Sequence, residues 1–424
     1  MAITDTPKLN KDIVSGFETA KQWANDRLAK LMEKQPAVNT FPLYALFLTV
    51  LFACIALWYL YRSFMLLETP TNIHRITNDS IKAQNRYSQA NPSRVGIREY
   101  LANLKRAGVP DTQLVLTNFY VSTVNAGGLF FPITDGVASG EAARAAILGG
   151  ARGIVFDIWP DLSPGANFGP ILQIVESGSQ WRRISMNSIP LQYALKPLIE
   201  EAFEHDGRPG FYDPLILYLR FRGNPRTSTY NLTARALSAT LESYRLPYSY
   251  NACRGQDMLF STLITDLFRK VIIVSNTKAE GSSLRDYINV GPKAGVKLEY
   301  TINEARSLTQ DGKAQQIGII RQNLTWVAPF SEDANAESNS WDIQPSLDVG
   351  IMFCAMNFWN NNDRLKKYMG SDMFGKQSFA IKPLPLRLTL DVLPVSSIPV
   401  DPKWGTDNAK KGAPAEVASI QLPN

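Results

Sequence analysis

The chain predicts an α/β barrel of the (β/α)8 type, the triosephosphate isomerase architecture, preceded by a single membrane-spanning helix. Three observations carry that prediction. One apolar run near the N-terminus is long enough to cross a bilayer; from Gln113 onward, short apolar strands alternate with helical runs; and the alternation continues to about Arg387, a length that suits one barrel.

The elements follow in order. In residues 1–40, Ile13, Phe17, Ala20, Ala24, Leu28 and Leu31 recur at three- and four-residue steps among charged residues. That spacing predicts an amphipathic helix over about Asp12 to Glu33, lying on a membrane surface or against a partner. Phe41 to Tyr61 carries no charge, and at 1.5 Å per residue about 20 apolar residues span the ~30 Å hydrocarbon layer. The span is therefore placed at 41–62, and Arg62 follows it without a small-residue cleavage site. Residues 63–112 are expected to form a polar stalk, richest in Asn, Ser, Thr and Gln over Glu68 to Pro92. Lys34, Lys30 and Arg27 before the span are offset by Glu33 and Asp26, and Arg62 and Arg75 after it by Glu68, so the side on which the large domain lies stays open.

Candidate strands are Leu114 to Val121, Gly153 to Ile158, Ile171 to Val175, Pro214 to Leu219, Val271 to Ser275, Leu324 to Val327, Val349 to Met356 and Ser378 to Ile381. Helical runs lie at Gly140 to Leu148 behind a Ser139 cap, Pro190 to Phe203 behind Ser188, and Asp257 to Phe268. The barrel divides into halves at 113–280 and 304–390, joined by a Gly-, Ser- and Lys-rich linker at 281–303 and followed by a Pro-rich tail at 391–424.

Composition narrows the function. A net charge of +6 in 424 residues is mild, and the basic residues are interspersed with acidic ones, which argues against nucleic acid as a partner and leaves an anionic lipid headgroup as a candidate ligand. Cys54, Cys253 and Cys354 have no CxxC spacing and no histidine neighbours, so neither a zinc site nor a disulfide framework is expected, and no cofactor motif stands out. The only histidines are His74 and His205.

The stretch DVGIMFCAMNFWNNNDRLKKYMGSDMFGKQSFAIKPLPLR, beginning at Asp348, resembles the Y region of phosphoinositide-specific phospholipase C, with Gly350, Ala355, Asn357, Phe358, Phe379, Lys382, Pro383, Leu386 and Arg387 in place. Upstream, GGARGIVFDIWPD (Gly149 to Asp161), AFEHDGRPGFYDPLILYLRFRGN (Ala202 to Asn224) and MLFSTLITDLFRKVIIVSNTK (Met258 to Lys278) are similar, in order, to segments of the X region. The resemblance implies the family's barrel and a site for hydrolysing a phosphoric diester, served by two histidines and a calcium ion.

Aligned residue by residue, that site is degenerate. The first histidine falls on Val124, beside a retained calcium-ligand asparagine at Asn125. The calcium-ligand glutamate falls on Val155, beside a retained aspartate at Asp157, and the third acidic ligand falls on Arg220. The phosphate-binding lysines fall on Val274 and Asn276, and the Y-half arginine on Trp326. No histidine lies between His74 and His205, where the second is required. Arg220, Lys278, Lys382 and Arg387 remain as candidate phosphate or headgroup contacts. The resulting expectation is no catalytic residue, no metal and no phosphodiesterase activity, in a pseudoenzyme that binds, scaffolds or assembles at a membrane with protein partners. Two alternatives stay open: a structural virion or envelope protein of a large DNA virus, and an active calcium-independent phosphoric diester hydrolase in which Arg220 replaces the ion.

Overall fold

The computed structural model describes parts of 21–30, all of 41–65 and most of 94–390. Within the last range 126, 131–135, 176–182, 184, 253–258, 295, 308–312, 330–338, 360–361 and 371–372 lie outside the description. So do most of the amphipathic segment, His74, Cys253 and the tail at 391–424. The chain divides into two compact units, Met1–Met65 and Leu66–Asn424.

In the first unit, the described residues of 21–30 are helical and exposed. Helix α1 (Phe41–Met65) follows. Its window Tyr44–Tyr61 has a mean hydropathy of 2.0 with none of it buried, so it is long and apolar enough to cross a membrane.

The second unit is a mixed α/β fold. Its helices are α2 (Ile97–Arg106), α3 (Gly140–Leu148), α4 (Leu191–Phe203), α5 (Thr227–Leu241), α6 (Ile302–Ser307), α7 (Lys313–Arg321), α8 (Gln344–Asp348) and α9 (Asp363–Tyr368). Its strands are β1 (Phe119–Val124), β2 (Leu129–Phe130), β3 (Val137–Ala138), β4 (Gly153–Pro160), β5 (Pro170–Leu172), β6 (Ile189–Pro190), β7 (Leu215–Phe221), β8 (Val271–Ser275), β9 (Glu299–Tyr300), β10 (Trp326–Val327), β11 (Phe353–Met356) and β12 (Phe379–Ile381).

Among the described residues, β8, β7, β4, β1, β11, β10 and β9 form one parallel run in that order. β5 adds antiparallel to β4, β6 to β5, and β12 to β1. Period-two alternation gives the sheet two dry faces. Ile154, Phe156, Leu215, Leu217, Leu219, Val271 and Ile273 pack outward against α3, α4 and α5. Phe119, Val121, Val155, Ile216, Tyr218, Ile272, Val274, Trp326, Phe353 and Ala355 fill the concave side. The sheet is strongly curled: the Tyr218 ring on β7 lies 5.0 Å from the Trp326 ring on β10, four strands away in the order. No pairing joins β8 to β9 among the described strands.

Several expectations are corrected. Ile171 to Val175 was expected as a parallel barrel strand, but β5 folds back antiparallel on β4 (Ile158 opposite Leu172), and β12 is likewise antiparallel. Within Asp257 to Phe268 the described residues form turns and a short 3-10 helix, Ile264–Leu267, rather than an α-helix. Ser188 does not cap α4, whose N-cap is Pro190. Ser139 does cap α3, its hydroxyl accepting from the Glu141 N–H at 3.2 Å. The polar stalk does not extend to 112, because α2 buries Ile97 and Leu101 against the concave cluster. The linker at 281–303 is not a free connection, since Leu284 and Ile288 enter the outer core and Glu299–Tyr300 pairs with β10.

Candidate functional site

The residues singled out by sequence sort by the face of the sheet they occupy. Val155, Val274 and Trp326 are buried in the concave core, where Trp326 stacks on Phe353 with ring centroids 3.7 Å apart. Val124 belongs to the outer layer. Asn276 uses its amide as a clip, donating to the Phe221 carbonyl and accepting from the Phe221 N–H at 3.0 and 2.9 Å. At none of these five positions is a ligand-binding side chain directed into the concave face.

Asn125, Asp157 and Arg220 lie at or near the C-terminal ends of β1, β4 and β7 and are at most 1% exposed. Asp157 and Arg220 are register partners on adjacent strands, so both extend from the same pleat level. Their contact is a bidentate ion pair, Nε to Oδ1 at 2.5 Å and Nη2 to Oδ2 at 2.9 Å. Nη1 donates to Glu299 Oε1 at 2.8 Å and to the Ala328 carbonyl at 2.6 Å, and Nη2 donates to the Pro329 carbonyl at 3.0 Å. A guanidinium has five N–H donors, and here each has an acceptor. Tyr218 Oη completes the network, donating to Glu299 Oε2 at 2.5 Å.

The electrostatics follow from this packing. Burial alone lowers the Arg220 pKa, but the Asp157 and Glu299 carboxylates and their hydrogen bonds outweigh it and hold it above the ordinary value. The Tyr218 hydroxyl is pushed up by burial and by the Glu299 charge, so it stays protonated and donating. The side-chain amide of Asn125 has no hydrogen-bond partner at either atom among the described residues.

Calcium requires six to eight oxygen ligands. The arrangement around Asp157 does not fit one, because a saturated guanidinium is bonded to both of the carboxylates that would have to face the ion. Two members of the network carry no motif: Glu299 sits in a two-residue strand inside the Gly-, Ser- and Lys-rich stretch, and Tyr218 reads as one more apolar strand residue.

The other candidate anion contacts do not converge. Lys278 is exposed beyond the C-terminal end of β8. Lys382 lies at the opposite end of the sheet, its N–H bonded to the Asn118 carbonyl just before β1, with its side chain fully buried. Arg387 is committed to the Lys382 carbonyl and to Gln113 Oε1, at 2.5 and 3.1 Å. Arg220 is saturated as described.

No protein-family model matches the chain, and no curated protein matches it. Among solved structures, PLC21 of L. pealei aligns at a TM-score of 0.51 with 14% identity, over 66% of this chain and 39% of that one. PLC21 of S. officinalis gives the same score and identity over 66% and 38%. A calcium-dependent phosphoinositol-specific phospholipase C from Pseudomonas sp. aligns at 0.38 with 10% identity, over 64% and 97%, too distant a match to bear on the site. The chain spans less than two fifths of the PLC21 proteins it matches, and at this identity the likeness establishes a phospholipase C-like fold.

Proposed function

We propose that this chain is a membrane-anchored, phospholipase C-like pseudoenzyme: a barrel of the (β/α)8 type, tethered by α1, that binds or assembles partners at a membrane and does not hydrolyse phosphoinositides. One observation carries the reading. Where the family's site needs a cation-binding carboxylate, Arg220 occupies the position and spends all five donors on Asp157, Glu299 and two carbonyls of its own chain. A guanidinium whose donors are all taken within the chain has none free for a substrate phosphate. Arg220 as a substitute for calcium needs an open guanidinium face, and at 1% exposure it has none.

The test is turnover. Full-length protein in detergent, given phosphatidylinositol or its phosphorylated forms with and without calcium, is expected to release inositol phosphate no faster than buffer. Turnover that requires calcium and disappears in Asp157→Asn overturns the reading. For the tether, the full chain should remain in the membrane pellet after alkaline extraction, and deletion of 41–65 should release it.

A further inference from the structure

We propose that the N-terminal end of the parallel sheet, opposite the Asp157–Arg220 network, carries a phosphate-binding site held by Arg94, Arg152 and Arg208. The three guanidinium groups arrive from separate segments: ahead of α2, at the start of β4, and in the loop after α4. They line one cavity of about 170 Å³ together with His205 and Glu201. The proposal does not depend on the activity of the other end.

The cavity is built rather than incidental. Gly150 and Gly210 both sit in the left-handed region, at φ of 91° and 88°. A Cβ on Gly150 would fall 1.7 Å from a nitrogen of the Arg94 guanidinium, and one on Gly210 would fall 2.3 Å from Arg152 Nη2. The two guanidinium groups therefore occupy space that a side chain at either glycine would fill. Arg94 Nη2 donates to the Gly149 carbonyl at 2.8 Å, and Arg152 donates to the Ala151 and Gly210 carbonyls at 3.0 and 3.1 Å. Those bonds fix the side chains while leaving Nε of each, both buried, without a hydrogen-bond partner among the described residues.

Charge around the cavity is not balanced. Among the described residues, Asp213 is the one carboxylate beside the Arg94–Arg152 pair; its Oδ2 is 3.3 Å from Arg152 Nε, without hydrogen-bond alignment, and its Oδ1 accepts the Ile97 N–H at 2.7 Å. Glu201 is shared among Arg144, Arg208 and His205, and Arg144 also approaches Glu141 at 3.7 Å on the exposed side. A second, half-buried guanidinium with no carboxylate of its own among the described residues is stabilised by an anion entering the cavity. The lowered Arg94 pKa, about 10, agrees: burial and then repulsion from Arg152 are its causes. A phosphate group matches three guanidinium groups from three directions better than a planar carboxylate, because its oxygens are tetrahedrally disposed. Its source is either a soluble phosphate compound or a lipid headgroup, and the test has an arm for each.

Full-length protein in detergent is titrated with inorganic phosphate, and separately with short-chain phosphatidic acid in mixed micelles, while its thermal midpoint is followed; chloride at matched ionic strength is the control. A saturable rise with inorganic phosphate, or with phosphatidic acid alone, is expected, the second pattern marking a lipid source. Arg94→Ala and Gly150→Ala should each weaken the apparent affinity by at least about tenfold. Arg98→Ala, outside this cavity, should leave it unchanged. Because Arg152→Ala removes a core side chain and can fail to fold, the proposal rests on the other two variants. No saturable response beyond chloride in either arm, or an unaltered response in both variants, overturns it.

Discussion

The two ends of the parallel sheet each bury an Arg–Asp pair, and they balance it in opposite ways. At the C-terminal end one guanidinium, Arg220, faces two carboxylates, Asp157 and Glu299, and two carbonyls. At the N-terminal end two guanidinium groups, Arg94 and Arg152, share Asp213. The consequences run in opposite directions: Arg220 is held charged above its ordinary value, whereas burial lowers both Arg94 and Arg152. In a low-dielectric interior the ratio of carboxylates to cations, rather than the number of ion pairs, separates a closed network from one that an external anion can complete.

The sharpest way to break the comparison is at its saturated end. Arg220→Ala leaves Asp157 fully buried without its counter-ion, and removing one partner of such a pair costs about 3–5 kcal/mol. Urea unfolding of the full chain, followed by tryptophan fluorescence, should show that loss. Replacing both members, Arg220→Met with Asp157→Leu, should recover most of it, because the fully buried carboxylate has gone and Glu299, 26% exposed, can be hydrated. A single variant that loses less than about 1 kcal/mol would mean the network does not hold this end together.

At the other end the expected loss is smaller and conditional. Asp213→Asn removes the carboxylate beside Arg94 and Arg152 and weakens the contact to the Ile97 N–H at the start of α2, for roughly 2–3 kcal/mol. Added phosphate should restore part of that stability and stabilise the variant more than the wild type. The same anion should stabilise Arg220→Ala no more than it stabilises the wild type. Equal responses in the two variants would erase the distinction between the ends.

What the sequence disclosed about these ends follows from how locally each feature is encoded. Strand β8 matches its expected limits, Val271 to Ser275, because a run of β-branched residues bounded by charged and polar ones has no competing reading. Asp157 is legible as a retained position and Arg220 as an altered one on a neighbouring strand, yet their bonding is not, since it depends on Glu299, nearly 80 positions further along in a two-residue strand. Helix α5 went unmarked because threonines and serines interrupt its apolar face. The antiparallel return of β5 looked like any short barrel strand, for its direction is set by the loop from Asp161 to Gly169, where Asn167 and Phe168 adopt positive φ. The N-terminal cavity was hidden for the same reason as Glu299: Arg94, Arg152 and Arg208 meet only after α2 folds over the end of the sheet.

Lys382 extends the series to a buried cation with no carboxylate partner among the described residues. Its Nζ is fully buried without a hydrogen-bond partner among the described residues, 5.7 Å from the centre of the Tyr120 ring, with the Cys354 thiol and Arg321 as the charged or titratable groups that act on it. Burial is the main cause that brings its pKa down from 10.5 to about 7, with Arg321 adding to the fall and Cys354 opposing it. For a base whose folded value is depressed, the unfolded chain binds more protons between the two values, so its contribution to stability rises with pH from about 7 toward 10.5. The Cys354 thiol, raised by burial from 9.0 to about 12, acts in the opposite sense above pH 9. The clean window is therefore about pH 7 to 9. Lys382→Met removes an amine that has no partner, and should raise stability at pH 7 by about 1–2 kcal/mol. It should also flatten the rise between pH 7 and 9 in denaturant unfolding. An unchanged slope would mean that Lys382 finds an anion or water in the folded protein, and would place it with Arg220 rather than beyond Arg94.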